Sequence, residues 1–440
     1  MYTKMSLEKI VVFWFRRDLR VHDNHGLSMA LSSGYKVVPL FVFDSQILEG
    51  LDAQDPRLSF IHRALTKIHQ RFKSEFKSSM YSYHGRPEEA FEDLAKTFDI
   101  QAIYTNRDYE PYAIKRDKHI AAWAKQQQIN FYSFKDQVIF EENEVVKDNT
   151  EPYVVYTPYK NKWLQSFHDQ FSNGLTTYTP SLENLHPFDQ DLHALEALGF
   201  EPSPIKTPDY LVSPSLIESY EDKRNFPWIE HGTSKLGPHL RFGTVSVRDM
   251  VKKAKAQNNQ VFLSELIWRE FFMQILWHFP ETPTKAFKPA YDRIEWRNNK
   301  EEFEKWKAGQ TGYPLVDAGM RELNTTGTMH NRVRMLVASF LCKHLLIDWR
   351  WGEAYFAEKL LDFELASNVG NWQWAAGSGV DAAPYFRIFN PSTQIDKFDK
   401  DHRYIKKWVT DLSELSYPTP MVDHKMARER CLTTYKKALA

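Results

Sequence analysis

The sequence predicts a chain in two parts, a doubly wound α/β domain with a parallel sheet over residues 1–135 and an all-α domain over 206–440, joined by a connector over 136–205. Three observations predict this fold class. Short apolar runs alternate with amphipathic helical patterns in the N-terminal third of the chain. The pattern then loses its periodicity, and beyond residue 206 it is helical almost throughout. A chain of 440 residues is also too long for one ordinary hydrophobic core.

The N-terminal third contains apolar segments with the length and composition of buried strands in a parallel sheet. These segments are residues 10–15, 36–43, 101–106 and 129–134. Helical patterns lie between them, at 26–34, 58–76 and 87–98. The turn after the first predicted strand is RRDLRVHDNHG, which lacks the glycine fingerprint of a dinucleotide-binding turn. The segment is therefore predicted to be α/β without that site.

The rest of the chain changes character twice. Residues 136–205 combine mixed polarity with many turn formers, which is typical of a long connector that follows a surface. The all-α part then carries seven helical patterns. They cover residues 213–226, 247–257, 262–279, 301–309, 314–323, 331–347 and 352–361.

Composition limits the possible functions. Lysine plus arginine equals aspartate plus glutamate at 57 each, so no global field indicates a nucleic-acid partner, although a local basic cleft is compatible with zero net charge. The two cysteines have neither metal-ligand spacing nor a disulfide pattern, so we expect no metal and a reduced, intracellular, cytoplasmic location. The N-terminal apolar run meets Arg16 and Arg17 at once, which favours a strand over a signal peptide, and no segment has the apolar length of a membrane span.

The segment 371–391 is the most informative part of the sequence. Trp372 and Trp374 precede five small residues, and further aromatic residues follow. Small residues let a flat ligand approach the backbone, and aromatic faces stack on planar rings. Ten of the thirteen tryptophans lie within 228–408. The pattern predicts either a site for a planar redox-active or nucleobase-like group or a large helical core rich in aromatic residues.

Two further segments carry side chains suited to binding. Thr233, Ser234 and Lys235 could hold a phosphate at the start of a helix, although Thr-Ser pairs are also ordinary N-caps. Glu265 shares a predicted helix face with Trp268. A carboxylate on an aromatic face is either paired with an arginine or functional.

Polar residues also cluster before the Trp pair. Asn331 and Met335 are four residues apart and can share a helix face, where the amide could bind a base edge and the thioether could fill space around a ligand. Asp362 could pair with Arg334, and Asn368 could face a ring nitrogen. Charged residues at ordinary helix ends would give a similar pattern.

In type and order, these segments resemble the photolyase/cryptochrome flavoproteins, and most closely the class I cyclobutane pyrimidine dimer photolyases. Seven blocks carry the resemblance, at residues 13–27, 156–163, 233–243, 265–272, 311–323, 329–335 and 372–394. It implies a Rossmann-like antenna domain, a helical domain that holds FAD, and light-driven electron transfer from reduced FAD to a dimer flipped out of DNA. Flipping is required because a base inside the stack cannot reach the cofactor. The implied protein is a monomeric deoxyribodipyrimidine photo-lyase that acts on UV-damaged DNA.

The resemblance also assigns roles by position. FAD binding falls to Tyr220, Thr233, Ser234, Lys235, Leu236, Gly237, Arg334, Asp362, Phe363, Glu364 and Asn368. Catalysis in the dimer pocket falls to Glu265, Asn331, Met335 and Asn368, with Trp268 and Trp374 packing the dimer on two sides. The electron relay falls to Trp296, Trp349 and Trp372, and DNA contacts fall to Arg224, Arg269, Arg332 and Gln394. Glu110 resembles an acid that contacts a folate antenna, and the antenna itself is methenyltetrahydrofolate, a deazaflavin or absent.

The sequence departs from the family pattern at a few positions. Gly237 replaces a serine of the phosphate segment, and Val369 and Asn371 stand where close relatives have Asn and Gly. The alternatives are a blue-light cryptochrome without repair activity and a (6-4) photolyase. The short C-terminal segment and the presence of both pocket tryptophans favour repair over signalling. Met335 stands where (6-4) enzymes use a histidine, which disfavours that chemistry.

Overall fold

The computed structural model describes residues 7–440, which divide into two compact units. Unit 1 comprises the described residues up to Glu141, Asn173–Pro208 and Gly237–Lys252, and unit 2 comprises Glu142–Ser172, Asp209–Leu236 and Lys253–Ala440. The first six residues of the predicted domain 1–135 lie outside the described part. Residues 136–205, predicted as a connector, are shared between the two units.

Unit 1 is built on a five-stranded parallel sheet with the strand order β3-β2-β1-β4-β5. The strands are β1 (Glu8–Phe15), β2 (Lys36–Asp44), β3 (Tyr81–Gly85), β4 (Phe98–Asn106) and β5 (Asn130–Phe134). The four predicted strands are confirmed. The sequence does not predict β3, because this edge strand is only partly buried and its sequence YSYHG lacks an apolar run.

Helices cover both faces of this sheet. They are α1 (His25–Leu31), α2 (Ser45–Leu48), α3 (Pro56–Phe76), α4 (Pro87–Thr97) and α5 (Pro111–Gln126). Alternate residues of β1 enter two separate cores, with Phe13 in one and Val12 in the other. This alternation follows from the period of two along a strand. The doubly wound fold class is therefore confirmed.

Within unit 1, a buried network of ion pairs joins Asp136 and Arg248 to residues near the N-terminus. Arg20 and Arg248 both bind the carboxylate of Asp136, at 2.7 and 2.9 Å, and Arg248 also binds Asp23 at 3.0 Å. Burial alone would raise the pKa of Asp136, but the two arginines hold it below its ordinary value. Removing one partner would leave a buried charge uncompensated, so the network stabilises unit 1 only as a complete set.

The remaining helices follow in chain order, and α9 with the first residues of α10 belongs to unit 1. They are α6 (Tyr156–Gln170), α7 (Pro214–Glu218), α8 (Tyr220–Lys223), α9 (Gly237–Arg241), α10 (Val247–Lys255), α11 (Val261–His278), α12 (Lys300–Ala308), α13 (Pro314–Thr326), α14 (Asn331–Ser339), α15 (Trp349–Lys359), α16 (Leu365–Ala376), α17 (Pro391–Phe398), α18 (Arg403–Trp408) and α19 (His424–Leu439). A π-helical turn over Phe340–His344 continues α14. The predicted all-α part is thus helical as expected.

Unit 2 has one large apolar core that contains three fully buried tryptophans, Trp306, Trp349 and Trp372. Helix α6 also packs into this unit. Its Trp163 is buried and donates its indole N–H to Glu270 Oε1 on α11 at 2.6 Å. This packing explains why part of the predicted connector belongs to unit 2. Among the helices between Leu7 and Ala440, none has both the length and the apolar character needed to cross a membrane.

The free energy of unfolding of unit 2 is expected to depend on pH through His344. Burial, together with the nearby His424 and Arg430, lowers the pKa of His344 to about 3, whereas an unfolded histidine titrates near 6.5. Because the unfolded chain binds the extra proton, the free energy of unfolding should fall as pH decreases below about 6.5. The expected loss is roughly 1.4 kcal/mol per pH unit from this residue.

This expectation can be checked by urea unfolding at pH 7, 6 and 5. His344→Gln keeps a polar side chain that cannot titrate, so its free energy of unfolding should decline less steeply with acidification than that of the parent protein. Equal slopes for the two proteins would show that His344 does not control this dependence.

Candidate active site

A cavity of about 580 Å³, partly open to solvent, lies in unit 2 between α14, α15, α16 and the segment before α16. It brings together nine of the residues that the sequence assigns to binding or catalysis. These are Asn331, Arg334, Met335, Asp362, Phe363, Glu364, Asn368, Trp372 and Trp374. The cavity has an aromatic and aliphatic wall with a few amide and charged groups, which suits a planar ligand with polar edges.

Arg334 and Asp362 form the ion pair that the sequence suggests. Arg334 Nη2 lies 3.0 and 3.1 Å from the two carboxylate oxygens, and Nε donates to the carbonyl oxygen of Met329 at 2.8 Å. The guanidinium is thereby fixed in one plane. Both side chains are half-buried at the cavity wall. The pair can orient a polar part of a ligand without rearranging.

Asn368 is held by a residue that the sequence analysis does not identify. Its Nδ2 donates to Glu353 Oε1 at 2.8 Å and to the Glu353 carbonyl oxygen at 3.1 Å. Burial raises the pKa of Glu353, and the bond from Asn368 opposes that rise. With the amide nitrogen occupied, Oδ1 is the atom left for a ligand in the cavity. No local pattern connects two residues on successive helices, so the sequence carries no signal for Glu353.

Trp268 is positioned by Tyr156 on α6, which the sequence analysis also misses. The two rings stack with centroids 3.6 Å apart and an interplanar angle of 8°, and the Tyr156 hydroxyl donates to the Ser264 carbonyl oxygen at 2.7 Å. Phe272 stacks on the same indole at 5.5 Å. Neighbours on α6 and α11 therefore fix the orientation of Trp268, which is half-buried and outside the cavity lining.

Two predicted DNA-contacting arginines are engaged in ion pairs. Arg224 binds Glu265, the predicted dimer-binding acid, and both side chains are partly exposed, at 23% and 33%. Arg269 binds Glu364 at 3.0 Å with exposures of only 12% and 8%. Arg269, which the resemblance assigns to DNA contacts, extends from α11 to the N-cap residue of α16. Its guanidinium has little surface left for a phosphate.

The predicted phosphate segment forms a turn before α9. Among the described residues, Leu7 to Ala440, none forms a hydrogen bond with the hydroxyl of Thr233 or Ser234. The Ser234 carbonyl oxygen accepts the Leu211 N–H at 2.8 Å. Lys235 has a positive φ of 54° and an exposed side chain, and Leu236 is buried. Gly237 begins α9, which has only five residues. The hydroxyls are therefore available to a ligand, but the helix is too short to contribute much of a dipole.

His330 adds a buried donor near this segment. Its Nδ1 accepts the Arg332 backbone N–H at 3.2 Å, and burial with the cations Lys235 and Arg334 nearby lowers its pKa to about 3. The neutral ring therefore carries its proton on Nε2. The ring also interacts with the backbone of Arg224, which opposes this lowering of the pKa. His330 is thus a buried, neutral side chain near the cations Lys235 and Arg334.

The predicted electron-relay tryptophans belong to one core. Trp372 lines the cavity, Trp349 is fully buried, and Trp296 packs against the same core from its edge. Trp306, which the sequence analysis does not single out, meets Trp372 edge to face with centroids 6.2 Å apart. Trp306 is therefore an indole neighbour of Trp372 through which an electron could arrive.

The small residues after the Trp pair have a different role from the one expected. Only Ala375 lines the cavity, whereas Ala376 is buried in the core and Gly377 ends α16 with a φ of 93°. These residues terminate a helix rather than receive a flat ligand. Two other predicted residues lie outside the cavity lining: Tyr220, the first residue of α8, and Gln394, half-buried on α17. Burial raises the pKa of Tyr220 to about 12.

Unit 1 contains a second cavity, of about 820 Å³ and partly open to solvent. Its walls are mostly apolar, and Glu110 lies on its lining together with arginines. The Glu110 carboxylate binds Arg241 at 2.5 Å and Arg17 at 3.1 Å, and Arg17 also binds Asp108 at 3.0 Å. Although burial opposes it, the surrounding arginines lower the pKa of Asp108 to about 2. Glu110 is thus part of an ion cluster rather than a free acid.

Asp362→Asn should weaken retention of the predicted FAD. The change removes the carboxylate that fixes Arg334, and hydrogen bonds to charged groups contribute about 1.5–3 kcal/mol, or roughly tenfold or more in affinity. The measurement is the flavin released on dialysis, followed by fluorescence.

A matched control is Asp411→Asn, which breaks the Arg321–Asp411 pair in the same unit. That pair has exposures of 22% and 30%, close to the 26% and 21% of Arg334 and Asp362, and neither residue lines the cavity. The control should retain its flavin. Equal flavin loss in both variants would mean that Asp362 acts only on the stability of the fold.

Comparison with known proteins places this cavity in a family context. Residues 11–179 match the family model described as DNA photolyase, and residues 262–416 match the FAD binding domain of DNA photolyase. Among curated relatives, the chain is 36% identical to the deoxyribodipyrimidine photo-lyase of Vibrio cholerae, covering 97% of this chain and 99% of the relative. It is 34% identical to that of Escherichia coli, covering 97% and 98%.

Solved structures agree with these matches. A class III photolyase from Agrobacterium tumefaciens has a TM-score of 0.87 and 31% identity, covering 100% of this chain and 99% of that one. A photolyase from Sulfolobus tokodaii, determined with two FAD molecules, has a TM-score of 0.81 and 32% identity over 97% and 99%. A cryptochrome from Synechocystis shares the fold, with a TM-score of 0.85 and 24% identity over 97% and 99%. The chain, with its FAD-binding domain, belongs to the DNA photolyase family.

Proposed function

We propose that this protein repairs cyclobutane pyrimidine dimers in DNA by light-driven electron transfer from reduced FAD. Curated deoxyribodipyrimidine photo-lyases match at about a third identity over almost their whole length. The observation that carries the proposal is the cavity of unit 2, which gathers residues assigned to the cofactor and residues assigned to the dimer. A binding module for nucleotides alone would not require both sets.

The residues of unit 2 fit FAD in charge and shape. Thr233 and Ser234 offer hydroxyls that have no protein partner among the described residues, and the exposed Lys235 adds a positive charge beside them, which together suit a diphosphate. Asp362 holds Arg334 in place, and Asn368 presents an uncharged oxygen to the cavity. When bound, FAD supplies the electron that splits the dimer.

The dimer side of the site is proposed to combine stacking and hydrogen bonding. Trp374 lines the cavity beside Asn331 and Met335, and these give an aromatic face, an amide and an adaptable apolar contact. Glu265 is held by Arg224 in an ion pair open to solvent. Because partly exposed pairs contribute little net energy, a DNA phosphate can take Arg224 and release Glu265 to bind the dimer.

The cavity of unit 1 is proposed to hold the antenna chromophore, either methenyltetrahydrofolate or a deazaflavin. Its apolar walls suit a planar ring system, and the cluster of Arg17, Glu110 and Arg241 gives one region of the lining charged groups. The relative from Sulfolobus tokodaii has a second FAD, described as a light-harvesting cofactor. Absorption spectra and mass spectrometry of chromophores released from the purified protein identify the occupant, and release of FAD alone would contradict this assignment.

The function is tested with an oligonucleotide that carries one thymine dimer. The chemically reduced protein is expected to remove the dimer under near-UV or blue light, and not in the dark. A protein that binds FAD and is photoreduced but leaves the dimer intact would instead be a light receptor without repair activity. Repair of (6-4) photoproducts in place of the dimer would reassign the substrate.

Trp374→Ala should weaken binding to dimer-containing DNA by about fivefold or more. Stacking of a base on an aromatic side chain contributes ~1–3 kcal/mol, and this variant removes the face that lines the cavity. Gel-shift titration in the dark measures the effect. Trp351→Ala is the matched control, because Trp351 is half-buried against the same core but lies outside the cavity lining. Equal affinities of the Trp374 variant and the parent protein would exclude Trp374 from the dimer pocket.

Trp296→Phe should slow photoreduction of oxidised FAD several-fold while repair by chemically reduced protein stays normal. Trp296 lies at the edge of the core that buries Trp372, so it is the relay residue best placed to exchange electrons with the solvent. Flavin absorbance during illumination measures the rate. Trp408→Phe, a half-buried tryptophan against the same core, is the control. Unchanged photoreduction in the Trp296 variant would direct attention to Trp306, whose ring meets that of Trp372 edge to face.

A further inference from the structure

An aromatic and cationic surface extends from the cavity of unit 2 across two other segments of that unit. We call it the Trp228 wall, and it consists of Phe226, Trp228, Arg332, Phe398 and Arg403. The Trp228 ring is 38% exposed, and the guanidinium carbon of Arg403 lies 4.6 Å from its centroid. Phe226 lies 6.0 Å from Trp228 and 6.3 Å from Phe398, measured between ring centroids.

The wall is continuous with the dimer pocket. The guanidinium carbon of Arg332 lies 4.5 Å from the Phe398 centroid, and its Nη1 lies 3.9 Å from the sulfur of Met335, which lines the cavity. Arg332 Nη2 also donates to Asn225 Oδ1 at 2.5 Å. An uninterrupted chain of contacts therefore connects the pocket with the exposed indole. A ligand that emerges from the pocket on this side would meet the wall.

The segment that provides Arg403 is rich in exposed positive charge. Five cationic side chains are exposed between residues 396 and 407, namely Lys397, Lys400, Arg403, Lys406 and Lys407. Only Asp396 and Asp401 are exposed acids there, because Asp399 is buried and accepts the N–H groups of Tyr404 and Ile405. Arg403 approaches Asp401 only to 3.8 Å, and both side chains are mostly exposed. The guanidinium of Arg403 is therefore free to meet a phosphate.

Trp228 combines packing against its neighbours with an exposed surface. It packs against Phe226 and Arg403, yet 38% of the residue is exposed, and it lies directly after Pro227 outside any helix or strand. Aromatic faces interleaved with cations are the usual surface for a nucleic-acid strand, where the ring packs on a base and the cations meet phosphates.

We propose that the Trp228 wall binds the DNA strand next to the lesion, with Trp228 packing on a nucleotide and Arg403 pairing with a phosphate. The proposal rests on the proposed function, because it takes its DNA from the pocket that holds the dimer. It adds contacts outside the pocket, and these position the duplex without distinguishing damaged from intact sequence. It also locates a positive surface in a chain whose net charge is zero.

The experiment measures dark binding of the FAD-loaded protein and its variants to the same duplex with and without a thymine dimer, over a series of salt concentrations. Trp228→Ala should weaken binding to both duplexes several-fold, because it removes the exposed ring that packs against a nucleotide beside the lesion site. Arg403→Ala should lower the slope of log K against log salt concentration by about one, since it removes one phosphate contact. The flavin absorbance spectrum and the unfolding temperature confirm that each variant is folded.

The matched control is Lys437→Ala. Lys437 lies on α19, outside the wall, and the change removes one exposed positive charge that pairs with Glu295. It should bind both duplexes as the parent protein does, with the same salt slope. Parent-like affinity of Trp228→Ala together with a parent-like slope of Arg403→Ala would overturn the proposal. An effect on the damaged duplex only would also overturn it, because it would place Trp228 in the lesion pocket.

The two proposals fail in different ways. If the parent protein binds DNA but does not repair a dimer under light, the proposed repair function is wrong. The role of the Trp228 wall is then still tested by comparing how the parent protein and the wall variants bind the undamaged duplex. If the parent protein repairs dimers and the wall variants bind as it does, only the wall fails.

Discussion

The close contact between α15 and α16 is the constraint on which the site depends. A Cβ atom at Gly352 would lie 2.1 Å from the ring of Trp372, so only glycine allows the two helices to approach this closely. The contact buries Trp372 and at the same time brings Glu353, the next residue on α15, within reach of Asn368. Since Asn368 and Trp372 are four residues apart on α16, one packing contact orients both. Asn368, proposed to contact FAD, and Trp372, proposed to relay the electron, are thus both positioned by the absence of a side chain at Gly352.

The ion pairs around the cavity differ in how easily they can exchange partners. Arg269 and Glu364 are nearly buried, so separating them would leave an uncompensated charge, and the pair acts as a fixed support between α11 and α16. Arg224 and Glu265 are the more exposed pair, and solvent screens their attraction. The site therefore combines a rigid charged frame with one more exposed pair, the one proposed to open for a DNA phosphate. This division follows burial rather than residue type, because both pairs join an arginine to a glutamate.

The sequence predicts what depends on local pattern. Apolar runs identify β1, β2, β4 and β5, and the edge strand β3 escapes because half-exposed residues carry no such run. The nine cavity residues are predicted because their motifs are local and their family resemblance is strong. Glu353, Tyr156 and His330 are missed, since each acquires its role through a contact with another element or through burial that no spacing encodes. Arg269 is assigned to DNA contacts by the resemblance, and its ion pair with Glu364 on another element is likewise a contact that no spacing encodes.

A chain with 57 basic and 57 acidic residues has no long-range field to attract DNA, so its affinity must come from where the charges are left unpaired. The carboxylates in and near the site are paired: Asp362 binds Arg334, Glu364 binds Arg269, and the buried Asp399 accepts backbone N–H groups. Cations next to the cavity are meanwhile left exposed, most densely between residues 396 and 407. The local excess of positive charge between residues 396 and 407 thus comes from five exposed cations against two exposed acids, while the acids at the cavity are paired. Such a surface acts only within about a Debye length, roughly 8 Å at physiological salt, so it holds DNA that has already met the protein rather than steering it from a distance.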